Sequence, residues 1–524
     1  MFSGEKTAIE GEESSRQVLG AEFSELQFSF QSSNGNRRRP IDFRDSDISG
    51  SVDCTAALLG STLRLEGSRI GADVVFRDAV IERDVRLGDA EIEGEVDAQR
   101  AEIRGRLGLD GINCEGRCIL LQARIRHGVH LRRAKLGGGV WHGLKTEGII
   151  QSVVPTPERL IVHRQRDAHS RLSVHDRDGT HLCDVSLPSY CTVTWLSGNR
   201  DAPEAFFGLT GFDRPSAVRG LDLDADSDGE PRLASTELDS VDLSVPNDLV
   251  VEQRFVDSTD GAEVPVFVCY REDVAVEGPR PTLLYGYGGF RNSITPSFGR
   301  FRLPFLADGG AFAAVCARGG YEYGEPWHEA GMLADKQHTF DDFVAAGEAL
   351  CGSGLTDAGR LAVAGGSNGG LSVGAVVTQR PDLWAAAQCA VPLLDMLRFH
   401  RFLLGESWTT EYGHPEDPEA FEYLRAYSPY HNVEPGAAYP PVYFTTAASD
   451  TRVHPSHARK MTARLQSEAA GGPFLLRTKS ATGHGVGKPA SMIVDEQADS
   501  WAFLYEQLGV EVGDSNPDRD DAGE

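Results

Sequence analysis

The sequence holds 524 residues with 51 Lys and Arg against 78 Asp and Glu, a net charge of −27, and its length predicts roughly three domains at about 150 residues each. Only seven of the basic residues are lysine, a balance that argues against nucleic acid or an anionic membrane as partner and for a soluble, cytoplasmic, halophilic protein. No run of about 18 apolar residues occurs, and the N-terminus MFSGEKTAIEGEESS lacks a basic start followed by an apolar stretch, which argues against a membrane span and a secretory signal.

The nine cysteines contain no CxxC pair. They predict reduced, buried thiols and no metal site, and Cys114 with Cys118 is too sparse a set for zinc. Residues 1–43 are polar and include Arg37-Arg38-Arg39-Pro40; they and the acidic 512–524 are expected to be disordered tails.

From 44 to 142 runs an eleven-residue repeat. Ile48, Leu59, Ile70, Ile81, Ile92, Ile103, Cys114, Ile125 and Leu136 each follow by two places a small residue or, before Cys114, Ile112. Val52, Leu63, Val74, Val85, Val96, Leu107, Cys118, Val129 and Val140 stand four further on. A hendecad coiled coil has the same period but steps by three and four. Here the inward positions step by two with one step of three per repeat, which predicts short strands turning a corner and stacking as a β-solenoid. Its charge is uneven, with seven acids from Glu82 to Asp97 and then a basic stretch from Arg117 to Lys135; a solvated outer face is the expectation.

Residues 150–245 alternate apolar and polar in runs such as RLIVHRQ and HLCDVSL, separated by RDAHS and DRDGT turns. They predict about two four-stranded blades of a partial β-propeller, since a closed ring needs at least four. From 248 to 511 apolar strands alternate with helices, which predicts a doubly wound, mostly parallel sheet with its chemistry at the carboxyl ends of the strands.

The strand RLAVAGGS runs into a helix through Gly365-Gly366-Ser367-Asn368-Gly369. A serine at such a strand-to-helix turn is presented above the sheet as a nucleophile. Its base and the base's orienting carboxylate should follow in the order Asp then His, each after a later strand. Asp450 after PPVYFTTAAS and His484 in SATGHGVGKP fit. Acyl transfer also needs donors for the oxyanion; the backbone N–H of Asn368 and the phenol of Tyr287 in LLYGYGGF are the candidates.

The segments LLYGYGGF, ARGGYEYGEPWHEAGMLADKQHTFDDF, GGSNGGL, QRPDLW, SWTTEYG, YSPYHNV, SDTRV and GHGVGKP occur in this order, and through them residues 248–511 resemble the prolyl oligopeptidase family of serine peptidases. The resemblance implies an α/β-hydrolase fold and cleavage after proline in short peptides, without a cofactor. It also implies Ser367 as nucleophile, His484 as general base and acid, Asp450 as its orienter, and Tyr287 and Asn368 as oxyanion donors. Arg452 would hold a substrate carbonyl, and Trp408, Tyr412, Phe290 and Val453 would line the proline pocket, as suits a rigid apolar ring. Through RDAHSRLSVHDRDGT and FFGLTGF, residues 150–245 resemble the end of the family's propeller, with the eleven-residue repeat in place of the remainder. An esterase, an oligopeptidase of other specificity, and an inactive fusion whose repeat binds a partner are the alternatives.

Overall fold

A computed structural model describes residues 41–120 and most of 148–512, with short pieces at 7–9, 22–23, 26–28, 123–125, 129–130, 135–136 and 140–141. Residues 177–178, 200, 224–232, 242, 244 and 480–488 lie outside it, as do most of the two expected tails. The chain divides into two compact units, 1–145 and 146–524.

In the first unit the repeat forms two-residue strands arranged in four parallel ladders. Val52 pairs with Val74 and Val74 with Val96, while Leu59, Ile81 and Ile103 line up in another ladder. Stacked residues are thus 22 apart, so one eleven-residue repeat makes half a coil and two make the full turn. Every inward Ile, Leu and Val from Ile48 to Leu107 is buried in one continuous core. At one corner of each repeat stands a residue with left-handed φ: Asp45, Ala56, Gly67, Asp78, Asp89, Arg100 and Gly111. On the outside, arginines of one coil pair with carboxylates of the next, as in Arg104 with Glu82 at 2.7 Å and Arg117 with Glu95 at 2.6 Å. The acidic run is therefore met by basic residues one rung away.

The second unit begins with two sheets. Ile149–Pro155, Arg159–Arg166, His169–Asp176 and His181–Ser186 form an antiparallel meander, joined at its edge by Leu233–Ala234 in parallel. Cys191–Gly198, Glu204–Gly211, Ala217–Asp222 and Thr236–Ser240 form the next. The alternate residues Leu172, Val174, Val193, Phe207 and Leu209 fill a core between them.

The remainder is an eight-stranded sheet. Its strands in chain order are β1 (Leu249–Asp257), β2 (Glu263–Arg271), β3 (Thr282–Gly286), β4 (Ala311–Val315), β5 (Leu361–Gly366), β6 (Ala386–Ala390), β7 (Val442–Ala447) and β8 (Phe474–Lys479). The spatial order is β1-β2-β4-β3-β5-β6-β7-β8, and only β2 runs against its neighbours. Period-two alternation divides each strand between two cores. Leu361 and Val363 of β5 face helices α1 (Gln337–Gly352), α2 (Asn368–Gln379), α3 (Pro418–Tyr427) and α4 (Ser456–Glu468). Ala362 and Ala364 face the other way, toward α5 (Ala490–Leu508) and toward Ala168 and Phe212 of the preceding sheets. No helix among the described residues is long and apolar enough to cross a membrane. No disulfide joins any two of the nine cysteines, and eight of them are buried.

Candidate active site

Chain order reverses between β3 and β5, which pair directly through Tyr285 and Ala364. Crevices at the carboxyl ends of strands form where such a reversal occurs, and the residues that leave these two strands are Tyr287 and Ser367. Ser367 has φ 56 and ψ −117 between β5 and α2, a conformation that costs a non-glycine residue energy. Neighbours hold it there: its N–H donates to the Ala390 carbonyl at 2.8 Å. Gly369, two residues along, must be bare, because a Cβ there would stand 2.7 Å from the Gly286 carbonyl oxygen. Close approach of α2 to β3 is thus written into the glycines around the serine.

Asn368 ties the two strand ends together. Its Nδ2 donates to the Tyr287 carbonyl at 2.7 Å, and its Oδ1 accepts from the Tyr412 hydroxyl at 2.8 Å. As the first residue of α2 its own N–H has no intrahelical acceptor and points out of the helix start beside Ser367. The Tyr287 hydroxyl stands next to the Ser367 side chain. Burial raises the pKa of this phenol, while the neighbouring Ser367 hydroxyl and the positive charge of Arg452 oppose the rise. Tyr287 is therefore a protonated donor at neutral pH.

Asp450 follows β7 and is buried. Its Oδ1 accepts the N–H groups of Arg452 at 2.8 Å and Val453 at 2.9 Å, a local turn that fixes the carboxylate and presents Arg452. Arg452 itself is exposed and Val453 buried. His484 lies outside the described residues. Trp408 ends the 3-10 turn Gly405–Trp408 and is half-buried against the main core. Tyr412 is 0% exposed, with its ring 5.5 Å from that of Phe290 in an edge-to-face contact. It thus stands behind Phe290, which is 37% exposed. The fold brings together Tyr287, Ser367, Asn368, Tyr412 and Phe290, and it carries the charge of Arg452 to Tyr287.

Beneath this group lies a set of buried charges that the motif letters contain but whose contacts they do not reveal. Glu411 accepts from the Phe290 N–H at 2.8 Å through Oε1 and bonds His328 Nε2 at 2.8 Å through Oε2. His328 Nδ1 meets Glu325 at 3.0 Å. Lys336 Nζ donates to the Gly288 carbonyl at 2.6 Å and lies 4.0 Å from Glu411. Burial opposes the charged form of each. For Glu411 the bond to His328 and the charge of Lys336 outweigh it, and its pKa is lowered. For His328 the two carboxylates outweigh it, and its pKa is raised. Lys336 is brought down by burial to about 8. His328 and Lys336 occur in ARGGYEYGEPWHEAGMLADKQHTFDDF and Glu411 in SWTTEYG; those segments were the signal available.

Comparison with known proteins gives a consistent picture. Residues 296–511 match the prolyl oligopeptidase family, and residues 145–230 match the prolyl oligopeptidase N-terminal beta-propeller domain. The prolyl endopeptidase of Elizabethkingia miricola is 36% identical over 347 residues, 66% of this chain and 48% of its own. That of Dictyostelium discoideum is 34% identical over 362 residues, 68% of this chain and 47% of its own. Prolyl oligopeptidase B from Galerina marginata, solved bound to a 35mer hydrolysis and macrocyclization substrate, superposes with a TM-score of 0.65 at 30% identity, over 70% of this chain and 52% of that one. A solved prolyl endopeptidase gives a TM-score of 0.65 at 40% identity, over 69% of this chain and 53% of its own. The chain spans about half the length of the curated relatives it matches. The C-terminal α/β-hydrolase domain, which follows a β-rich N-terminal region, is a domain of the prolyl oligopeptidase family.

Proposed function

We propose that the protein is a serine peptidase that hydrolyses peptide bonds on the carboxyl side of proline in short peptides through an acyl-enzyme. The observation that carries this reading is Ser367, held at positive φ between β5 and α2 with the Tyr287 phenol next to its side chain and the Asn368 N–H beside it. In the first step His484 takes the proton of Ser367 as Oγ attacks the carbonyl carbon, and Asp450 orients the imidazole and stabilises its charged form. The carbonyl oxygen, now negative, accepts from Tyr287 and from the Asn368 amide. His484 then passes the proton to the leaving amine as the C–N bond breaks. Water repeats the sequence on the ester and restores the serine. Arg452 holds a second substrate carbonyl. The Trp408 ring stacks on the proline, with Phe290 and Val453 beside it and Tyr412 backing Phe290. These steps call for no cofactor.

In the same reading residues 44–142 are a β-solenoid, 150–245 are two blades of a β-propeller and 248–511 are the peptidase domain. The 22-residue stacking of four ladders supports the first assignment, and two antiparallel sheets sharing a core support the second.

The test is hydrolysis of a short proline peptide with a chromogenic leaving group, in molar salt, by the wild type and by Ser367→Ala. Turnover by the wild type that falls at least about a thousandfold in the variant is expected. Absence of turnover, or turnover that survives the substitution, overturns the reading. Peptides differing only at the cleavage position, together with a simple ester, separate a proline peptidase from one of other specificity and from an esterase.

A further inference from the structure

The loop that carries Tyr287 is bent into a shape it would not hold alone. Gly288, Phe290 and Arg291 have φ of 66, 55 and 56, and two of these three residues bear side chains that disfavour this region. A Cβ on Gly288 would stand 2.2 Å from Thr339 Cγ2. Anchors hold the loop at successive backbone groups. Asn368 grips the carbonyl of Tyr287, Lys336 the carbonyl of Gly288 and Glu411 the N–H of Phe290. Two of these anchors are opposite charges, 0% and 4% exposed. From Glu411 the chain of contacts continues through His328 to Glu325. Glu325 holds the Arg291 guanidinium with bonds of 2.7 and 2.6 Å. The network therefore begins and ends on one loop. Apolar residues of equal volume would stabilise such a core at least as well. What the charges add is direction: a donor aimed at one loop carbonyl and an acceptor aimed at one loop amide.

We propose that Glu411 and Lys336 are positioning residues for the Tyr287 hydroxyl, fixing the loop at the height where the phenol meets Ser367 and the oxyanion that forms on it. The inference rests on Tyr287 being an oxyanion donor.

The test is a double-mutant cycle on the full-length protein. Glu411→Gln keeps an acceptor for Phe290 and removes the charge facing Lys336 and His328. With a short proline peptide its kcat is expected to fall about 10- to 100-fold with KM changed less than about threefold, because displacing a donor by about an ångström costs up to about a hundredfold. In a Tyr287→Phe background the same substitution should cost less than about threefold, since the hydroxyl it positions is gone. Equal losses in both backgrounds overturn the proposal, as does an effect on KM alone or no effect at all. Lys336→Met in the same cycle serves if Glu411→Gln does not fold, with the same outcomes deciding.

If the wild type cleaves no proline peptide, the proposed specificity falls, and the cycle is read instead from the rate at which a fluorophosphonate labels Ser367. There Ser367 Oγ forms the bond to phosphorus, its proton passes to base, fluoride leaves, and the phosphoryl oxygen takes the oxyanion position. Coupling between Glu411 and Tyr287 in that rate supports the positioning role, and additive losses overturn it.

Discussion

Glu325 sits where two cations meet, with Arg291 on both its oxygens and His328 on one. Burial pushes its carboxyl up, and the bonds from His328 and Arg291 more than reverse this, leaving it at about 2. A carboxyl whose folded pKa lies below its unfolded value of 4.5 adds stability that is present above the unfolded value and is lost as pH falls toward the folded one. Between about pH 4.5 and about pH 2 the folded protein must therefore surrender this contribution. Glu325→Gln removes the titrating group, so it should lower stability at pH 7 and flatten its decline over that window. Urea unfolding of the two proteins at a series of pH values reads the difference. Parallel acid limbs would mean that the contacts of Glu325 with Arg291 and His328 contribute nothing to stability.

The corner of each repeat in the first unit is the element with the most uneven sequence. Asp and Gly occupy most of the left-handed positions from Asp45 to Gly111, as expected for residues that tolerate positive φ. Ala56, exposed and with φ 55, does not belong to that set. Left-handed backbone costs a residue with a Cβ about 1–2 kcal/mol, and glycine costs about 0.5–1 kcal/mol in lost chain entropy. Ala56→Gly should therefore stabilise the coil by about 0.5–1 kcal/mol, read as a higher melting temperature of the first unit. A lower one would place the strain elsewhere. The repeat itself was legible because the inward Ile and Val recur at fixed steps. Its 22-residue coil was not, because two consecutive elevens differ too little in sequence to mark which half-turn each makes. Strands β3, β4 and β5 and the place of Ser367 were legible from apolar runs ending in glycine turns, and β7 and β8 from their apolar runs, whereas β1, β2 and β6 were not singled out. The contacts of His328, Lys336 and Glu411 were not, since residues 83 apart in the chain meet only when the sheet is built.

At the scale of the molecule the two units differ in what they own. One core draws on residues from Leu26 to Leu120 and serves the ladders, whereas three others lie wholly within 146–524. Every candidate residue of the site, from Tyr287 to His484, is in the second unit. So are both sheets that precede the α/β domain. Their joint core and the packing of Ala168 and Phe212 against Phe267 and Phe312 make them part of that body. A unit with its own core folds independently in most cases. Residues 146–524, produced without the ladders, should thus fold and cleave a short proline peptide with kcat/KM within about threefold of the full chain, because no group that orients Ser367, Tyr287 or Glu411 has been removed. Steady-state kinetics of the two proteins decide it. A truncated protein that is folded by circular dichroism yet more than about tenfold slower would assign the ladders a part in shaping the site.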